Sequence, residues 1–418
     1  MRKCTLLLVI LVMVLAASGC SRSWNFQEGT TEAGGGTKAA ASGGIKAGFL
    51  FVSGEEGTDV LSHKAGMSKA QAVTGLAAGQ VVYKTNVNKN DVEKKVDELV
   101  ESGCNVIFSC NAVFEDSILE CARKYPDVTF CQMDGRKAEE SGLDNMHNYY
   151  TRIYEAYYVG GMVAGKKLVH MLNTGKASPY GPNVGFVASK KSPEAISCAN
   201  AFYMGVKREY SNATMYIRYV NSSGVYDNDA KQAKQLVAAG VSIMGEYTST
   251  SAVASICAEN GIPMVGRDVN LISAAPKNAL TSATSDWSVY YTYVIQCLQD
   301  GKEIEKDWIG GYAEGANIIS QLNDKYIVDG TAKEVARLEK NIRDHKARIF
   351  NLEKFTVQGQ NFKDLAENND EYKRFKDAIG DGQYRESYRH SAPDLDVLFD
   401  GVEVSDYNYL ASQEEENN

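Results

Sequence analysis

The chain has 418 residues, a formal net charge of −9, 44% hydrophobic residues and nine cysteines. That apolar fraction is ordinary for a globular protein. An acidic balance without a basic stripe excludes nucleic acid as a partner on electrostatic grounds.

Arg2 and Lys3 precede an apolar run from Thr5 to Ser18, and Ala17-Ser18-Gly19 leads directly into Cys20. A spanning helix needs about 20 apolar residues. The run is shorter, and its basic start and small-residue end are those of a signal peptide over residues 1–19. The placement of Cys20 resembles a bacterial lipobox, which implies an acylated Cys20 at the mature N-terminus. Two or more acyl chains anchor firmly, at about 0.8 kcal/mol per buried methylene. Residues 20–44 are rich in Gly, Ser, Thr and Ala. Such a linker has a reach of roughly 27 Å for its 24 residues after the cysteine.

Removing residues 1–44 leaves 374, enough for two or three domains or two lobes of one fold. "IKAGFLFV" (45–52) is a short apolar run and reads as a buried strand. A helix follows, expected to end at Gly79, then the strand "QVVYKT" and the helix "NDVEKKVDELVESG" opened by Asn90. "CNVIFSC", "EDSILECARKYP" and "DVTFCQM" continue the alternation as strand, helix and strand. Residues 152–172 form a long helix, after which the alternation repeats from "NVGFVAS" (183–189) to "PMVGRDV". Short apolar strands between amphipathic helices predict parallel sheets covered on both faces. A return between lobes is expected at 275–283, where "LTSATS" reads as a strand. Residues 329–346 read as an amphipathic helix and "KARIFNLEKFTVQGQ" as a strand pair. The expected domains are lobe 1 over 45–150 plus 280–382, lobe 2 over 151–279, and a partly disordered C-terminal extension over 383–418.

Catalytic signatures are absent: there is no G-x-G-x-x-G after the first strand, no G-x-x-x-x-G-K-[ST], no H-E-x-x-H and no G-x-S-x-G. The five histidines are scattered, and surface or capping roles fit them better than metal ligation. The internal cysteines, 104, 110, 121, 131, 198, 257 and 297, lack zinc-like spacing and read as buried thiols, with one disulfide left open. No cofactor, metal or enzymatic activity is expected.

Ligands of open parallel sheets bind beyond the carboxyl ends of the strands. Those positions hold Ser53, Glu55 and Glu56; Asn111, Phe114 and Asp116; Ser189 and Lys190; Asn221, Ser222, Tyr226 and Asp227; Glu246, Tyr247, Thr248 and Ser249; and Arg267, Asp268 and Asn270. From these and Trp287, the candidate ligand-binding residues are Glu56, Asn111, Phe114, Asp116, Tyr226, Asp227, Tyr247, Ser249, Asp268 and Trp287. Carboxylates beside aromatic faces suit a flat heteroaromatic ligand rich in donors. Asp116, Asp227 and Ser249 equally suit helix N-caps.

"KYPDVTF" (124–130), "RIYEAYYVGGMVAGK" (152–166), "ANAFYMGVK" (199–207), "AENGIPMVGRDVN" (258–270), "APKNALTSATSDWSVYY" (275–291) and "DHKARIFNLEKFTVQGQ" (344–360) carry a resemblance. They look like the basic membrane protein family of substrate-binding lipoproteins, which includes purine nucleoside receptors of ABC importers. The resemblance implies an α/β fold of type I periplasmic-binding-protein kind: two Rossmann-like lobes, three hinge strands and a ligand cleft between them. It implies a ribose-binding role for Asp268. Where the family shows D-G-G-aromatic-N, this chain has Glu56-Gly57-Thr58-Asp59-Val60, and where it shows N-S-W-aromatic-D, Asn221-Ser222-Ser223-Gly224-Val225. A family lysine is Ser285 here, with Trp287 nearby. The expected function is a lipid-anchored, extracytoplasmic solute-binding protein that takes a nucleoside or related compound by lobe closure. Its expected partners are an ABC permease and ATPase, and the membrane through its anchor; a monomer is expected. The alternative is a ligand-degenerate surface lipoprotein acting as a sensor or interaction protein.

Overall fold

The computed structural model describes residues 44–222, 224–406 and 408. The signal segment, Cys20, nearly all of the linker and the acidic tail fall outside them.

Lobe 1 opens as β1 (Ala47–Leu50), α1 (Thr58–Thr74), β2 (Val81–Lys84), α2 (Val92–Glu101), β3 (Val106–Ser109), α3 (Glu115–Lys124), β4 (Thr129–Met133), α4 (Ala138–Ser141) and β5 (Met146–Thr151). Lobe 2 follows as α5 (Tyr154–Asn173), β6 (Val184–Ala188), α6 (Pro193–Glu209), β7 (Met215–Tyr219), α7 (Tyr226–Ala238), β8 (Ile243–Tyr247), α8 (Ala252–Asn260), β9 (Met264–Arg267) and β10 (Ala279–Ser285). The chain returns to lobe 1 for α9 (Ser288–Asp300) and β11 (Asp307–Gly310). It then crosses back for β12 (Asn317–Ile319), α10 (Thr331–Arg343), α11 (Phe362–Asn368), β13 (Ile379–Gly380), β14 (Gln383–Tyr384) and β15 (Val402–Val404).

The lobe 1 sheet has the order β11-β5-β4-β3-β1-β2 and is parallel throughout. The lobe 2 sheet has the order β12-β10-β9-β8-β6-β7-β15, with only β12 antiparallel. Strands β1, β3, β6 and β8 are buried at every position, as a sheet with helices on both faces requires. The helices bury the stripes their periodicity predicts: Val92, Val96 and Leu99 in α2, and Val335, Leu338 and Ile342 in α10. The side chain of Ser192 accepts from the Ala195 amide and caps α6, with Pro193 in the first turn.

Several expectations are corrected. Helix α1 ends at Thr74, five residues before Gly79. Gly75 takes the left-handed conformation (φ 74°) that stops it. Strand β10 belongs to the lobe 2 sheet, so the return to lobe 1 falls at 286–288, after that strand. The segment read as a strand pair forms no such ladder. Gln358 and Gly359 (φ 52° and 73°) turn the chain tightly, while Ile349, Phe350, Leu352, Phe355 and Val357 sink into the lobe 2 core. Residues 317–406 pack on lobe 2 rather than lobe 1, because their apolar groups join the core under α5 and α6. Ser391, Ala392, Leu395 and Phe399 are buried and β15 pairs with β7, so residues 383–406 are folded. The seven internal cysteines are free and buried. Burial pushes the thiols of Cys110 and Cys131 up to about 12, which leaves them unreactive.

Three segments join the lobes, between β5 and α5, between β10 and α9, and between β11 and β12. A short hydrogen-bond chain ties them together. Thr151 Oγ1 lies 2.7 Å from Ser285 Oγ, which donates to Asn317 Oδ1 at 3.3 Å. Ser285 is therefore a hinge residue.

Candidate functional site

The carboxyl ends of both parallel sheets face one cleft, a cavity of ≈ 220 Å³. Lobe 1 contributes Ser53, Asp59, His63, Asn111, Asp134 and Arg136, and lobe 2 contributes Ser189, Lys190, Glu194, Tyr247, Ser249, Arg267 and Asp268. The crossings add Ile153, Ser285 and Trp287, and the C-terminal segment adds Ala392 and Pro393. The lobes touch: the Thr58 amide of α1 donates to the Ser249 carbonyl at 3.0 Å.

Half of the candidate residues line this cleft: Asn111, Tyr247, Ser249, Asp268 and Trp287. The other five lie elsewhere, and each has a physical reason. Phe114 is fully buried in the core between α2 and α3. Asp116 lies in the first turn of α3 and pairs with Lys137 on the surface. Glu56 is exposed on the loop before α1. Tyr226 and Asp227 open α7 and are solvent-exposed; Tyr226 retains 45% of its surface. Among the positions of doubtful role, Ser249 is not a cap, since α8 is preceded by Ser251. Asn111 combines both roles: its side chain accepts from the Val113 amide at 3.1 Å while lining the cleft.

Sequence reasoning missed the charged centre of the site. Arg267 ends β9 with its guanidinium 3.9 Å above the Tyr247 ring. Its Nε lies 3.4 Å from Asp268 Oδ1. Tyr247 Oη donates to Glu194, in the first turn of α6. Asp59 accepts from Ser53 Oγ at 2.8 Å. Asp134 and Asp268 both hold left-handed backbones (φ 54° and 63°), which turn the chain sharply at the strand ends. Burial pushes Asp268 up to about 7, with Arg267 opposing the rise. Burial raises Asp59 as well, and burial together with Glu194 holds Asp134 well above the carboxylate range. The cleft is thus a cluster of reluctant acids around one buried guanidinium.

Trp287 stacks on His63, ring centroids 4.2 Å apart and planes 20° from parallel. His63 donates to or accepts from Tyr291 Oη at 2.6 Å. Burial lowers its pKa to about 3, so the imidazole is neutral and acts as a flat backing for the indole. Four buried polar atoms of cleft-lining residues lack a well-formed hydrogen bond within the protein: Asp59 Oδ1, Arg267 Nε, Asp268 Oδ2 and Trp287 Nε1. No group of three or more metal-ligating side chains occurs among the described residues, and no described helix is long and apolar enough to cross a membrane.

Beneath the cleft, Glu246 of β8 is 1% exposed, accepts from Thr248 Oγ1 at 2.8 Å, and is pushed by burial to about 8. Its folded pKa exceeds its unfolded value, so the protonated form is the one the fold tolerates. The cost of ionising it is absent below about pH 4.5, grows as pH rises, and is complete above about pH 8. Glu246→Gln should therefore raise the melting temperature at pH 9 and leave it nearly unchanged at pH 5. Calorimetry at the two pH values checks this, and equal shifts at both would remove the burial argument.

Two α/β lobes joined by three crossings around a polar cleft are the architecture of the type I periplasmic binding-protein fold. A solute-binding protein of Aeropyrum pernix superposes with a TM-score of 0.61 at 17% identity, over 80% of this chain and 96% of that one. The chain belongs to the Bmp family, ABC transporter substrate-binding protein PnrA-like, which its residues 61–348 match. It is 27% identical over 282 residues to a purine-binding protein of Brucella abortus, covering 67% of this chain and 76% of that one. It is 24% identical over 281 residues to an ABC transporter protein of Haloferax volcanii described as glucose-binding, covering 67% and 68%. This is an ABC transporter substrate-binding protein, in a family of solute receptors rather than enzymes.

Proposed function

We propose that the protein is a lipid-anchored receptor on the outer face of the membrane that captures a nucleoside-like compound and delivers it to an ABC permease and its ATPase. Cys20 carries the anchor, and residues 20–44 let the body reach the transporter. The observation that carries the ligand class is the pairing of Trp287, backed by His63, with the partnerless oxygens of Asp59 and Asp268. An aromatic wall suits a flat base, and buried acceptors suit hydroxyl or amino donors, since such groups are costly to leave unpaired. The Brucella relative, which binds purine, supports the base, and the hydroxyl-rich ligand named for the Haloferax relative supports the donor-rich part. Capture works by closure: a ligand touching Asp59 of lobe 1 and Asp268 of lobe 2 favours the closed state by its differential affinity for it.

Thermal shift and calorimetry against nucleosides, bases, flavins and sugars test the reading. A nucleoside should stabilise the protein, and Asp268→Ala should weaken its binding by about 10- to 100-fold, the worth of a hydrogen bond to a charged group. Stabilisation by sugars alone would move the ligand class. No stabilisation by any compound would favour the sensor or interaction role.

A further inference from the structure

The chain beyond residue 348 lies outside the family match, and part of it returns to the cleft. After β14 it runs along the flank of the cleft before joining the lobe 2 sheet as β15. The Glu386 carboxylate accepts from the amides of Asp394 at 2.5 Å and Leu395 at 3.2 Å, closing residues 386–395 into a loop. One side of this loop is fixed to lobe 2. Asn200 of α6 donates to the Val397 carbonyl at 2.8 Å and accepts from the Phe399 amide at 3.1 Å, and Leu395 and Phe399 are buried. The other side reaches lobe 1. The Arg136 guanidinium donates to Asp394 Oδ1 at 2.5 Å and to the Pro393 carbonyl. The Ser391 amide donates at 3.2 Å to Asp307 of β11, which Asn148 of β5 also holds at 3.0 Å. Between these attachments Ala392 and Pro393 form part of the cavity wall.

We propose that residues 386–399 are a clasp that completes the ligand site as a third wall and ties lobe 2 to lobe 1 through Arg136. The crossings alone would leave the lobes free to swing apart. With the clasp in place, opening has to break the Arg136–Asp394 pair and the Ser391–Asp307 bond. The wall it supplies offers a proline, with no amide hydrogen, and an alanine methyl, so it selects for a ligand whose edge is apolar there. The wall rests on the cleft being the ligand site; the tie between lobes stands without it.

The test uses the full chain with spin labels at Lys89→Cys in lobe 1 and Lys231→Cys in lobe 2, both exposed, while the internal thiols are buried. Inter-label distances are measured in four backgrounds: unchanged, Arg136→Asp, Asp394→Arg, and both reversals together. Each single reversal should add a longer-distance population, and the double reversal, which restores an ion pair, should remove it. Unchanged distances in both single variants would overturn the tie, and so would a double variant as open as the singles. Adenosine is the probe for the wall. Its dissociation should quicken about tenfold in Asp394→Arg, a residue outside the cavity lining, and recover in the double variant. Dissociation unaltered by Asp394→Arg would overturn the wall. If adenosine fails to bind the unaltered protein, the ligand assignment is at fault, and the distance measurement still decides the clasp.

Discussion

Replacing Gly205 by alanine is expected to lower the melting temperature by roughly 3–5 °C, on a cost of about 3 kcal/mol. Helices α5 and α6 cross at their backbones. A Cβ on Gly205 would meet the Tyr158 carbonyl oxygen and lie 2.8 Å from the Met162 amide nitrogen, and one on Gly161 would strike the Phe202 carbonyl. Backbone cannot rotate away as a long side chain would. The gain in helix propensity, about 1 kcal/mol, is too small to offset that clash. Both helices cover the lobe 2 sheet, and α5 begins at the first crossing, so the variant should also disturb the setting of the lobes. Thermal denaturation followed by circular dichroism reads the loss; a drop under about 2 °C would mean that the helices sit farther apart than described.

Arg267→Met should cost about 3–5 kcal/mol at pH 8.5, because breaking a buried ion cluster from one side leaves the other charges uncompensated. The guanidinium faces Asp268 and Glu194, and its charge also favours ionisation of Asp59 and Asp134. The direction with pH follows from the acids. Asp268 already sits at about 7 with Arg267 present, above its ordinary 3.8. Without the cation it rises further, so the penalty for ionisation is full above that value and shrinks as the pH falls through it. The variant should be far less stable than the unaltered protein at pH 8.5 and approach it near pH 5. Denaturant titrations at the two pH values measure the gap, and a deficit of equal size at both would show that Arg267 acts by packing alone.

The fold was legible because its strands are short and wholly apolar while its helices are striped. Alternation of those two patterns leaves few topologies. Apart from Trp287, the site was legible where a residue lies at or just beyond a strand end: Asn111, Tyr247, Ser249 and Asp268 were found that way. That rule does not say which side chains turn inward, and it therefore also picked Asp116 and Tyr226, which begin helices and face solvent. Asp59 was visible as a replacement for a family aromatic but carried no signal of its own. Arg267 stood beside Asp268 in the sequence, yet a buried guanidinium becomes intelligible only when Tyr247, Glu194 and Asp134 converge on it. The wall at Ala392 and Pro393 had no periodicity to read, and its bond to Arg136 spans 257 residues.

Strand β15 adds to β7 in the register Met215↔Val402, and β11 adds to β5 in the register Asp307↔Asn148. Each sheet thus takes its last parallel strand from a part of the chain that follows an excursion into the other half. Cutting the gene at a lobe boundary should leave at least one fragment unable to fold by itself, because at each crossing one piece lacks a strand of a sheet it otherwise contains and exposes an unpaired edge. Recombination between relatives would have to exchange the body as one unit. Such long-range closures also predict slow folding.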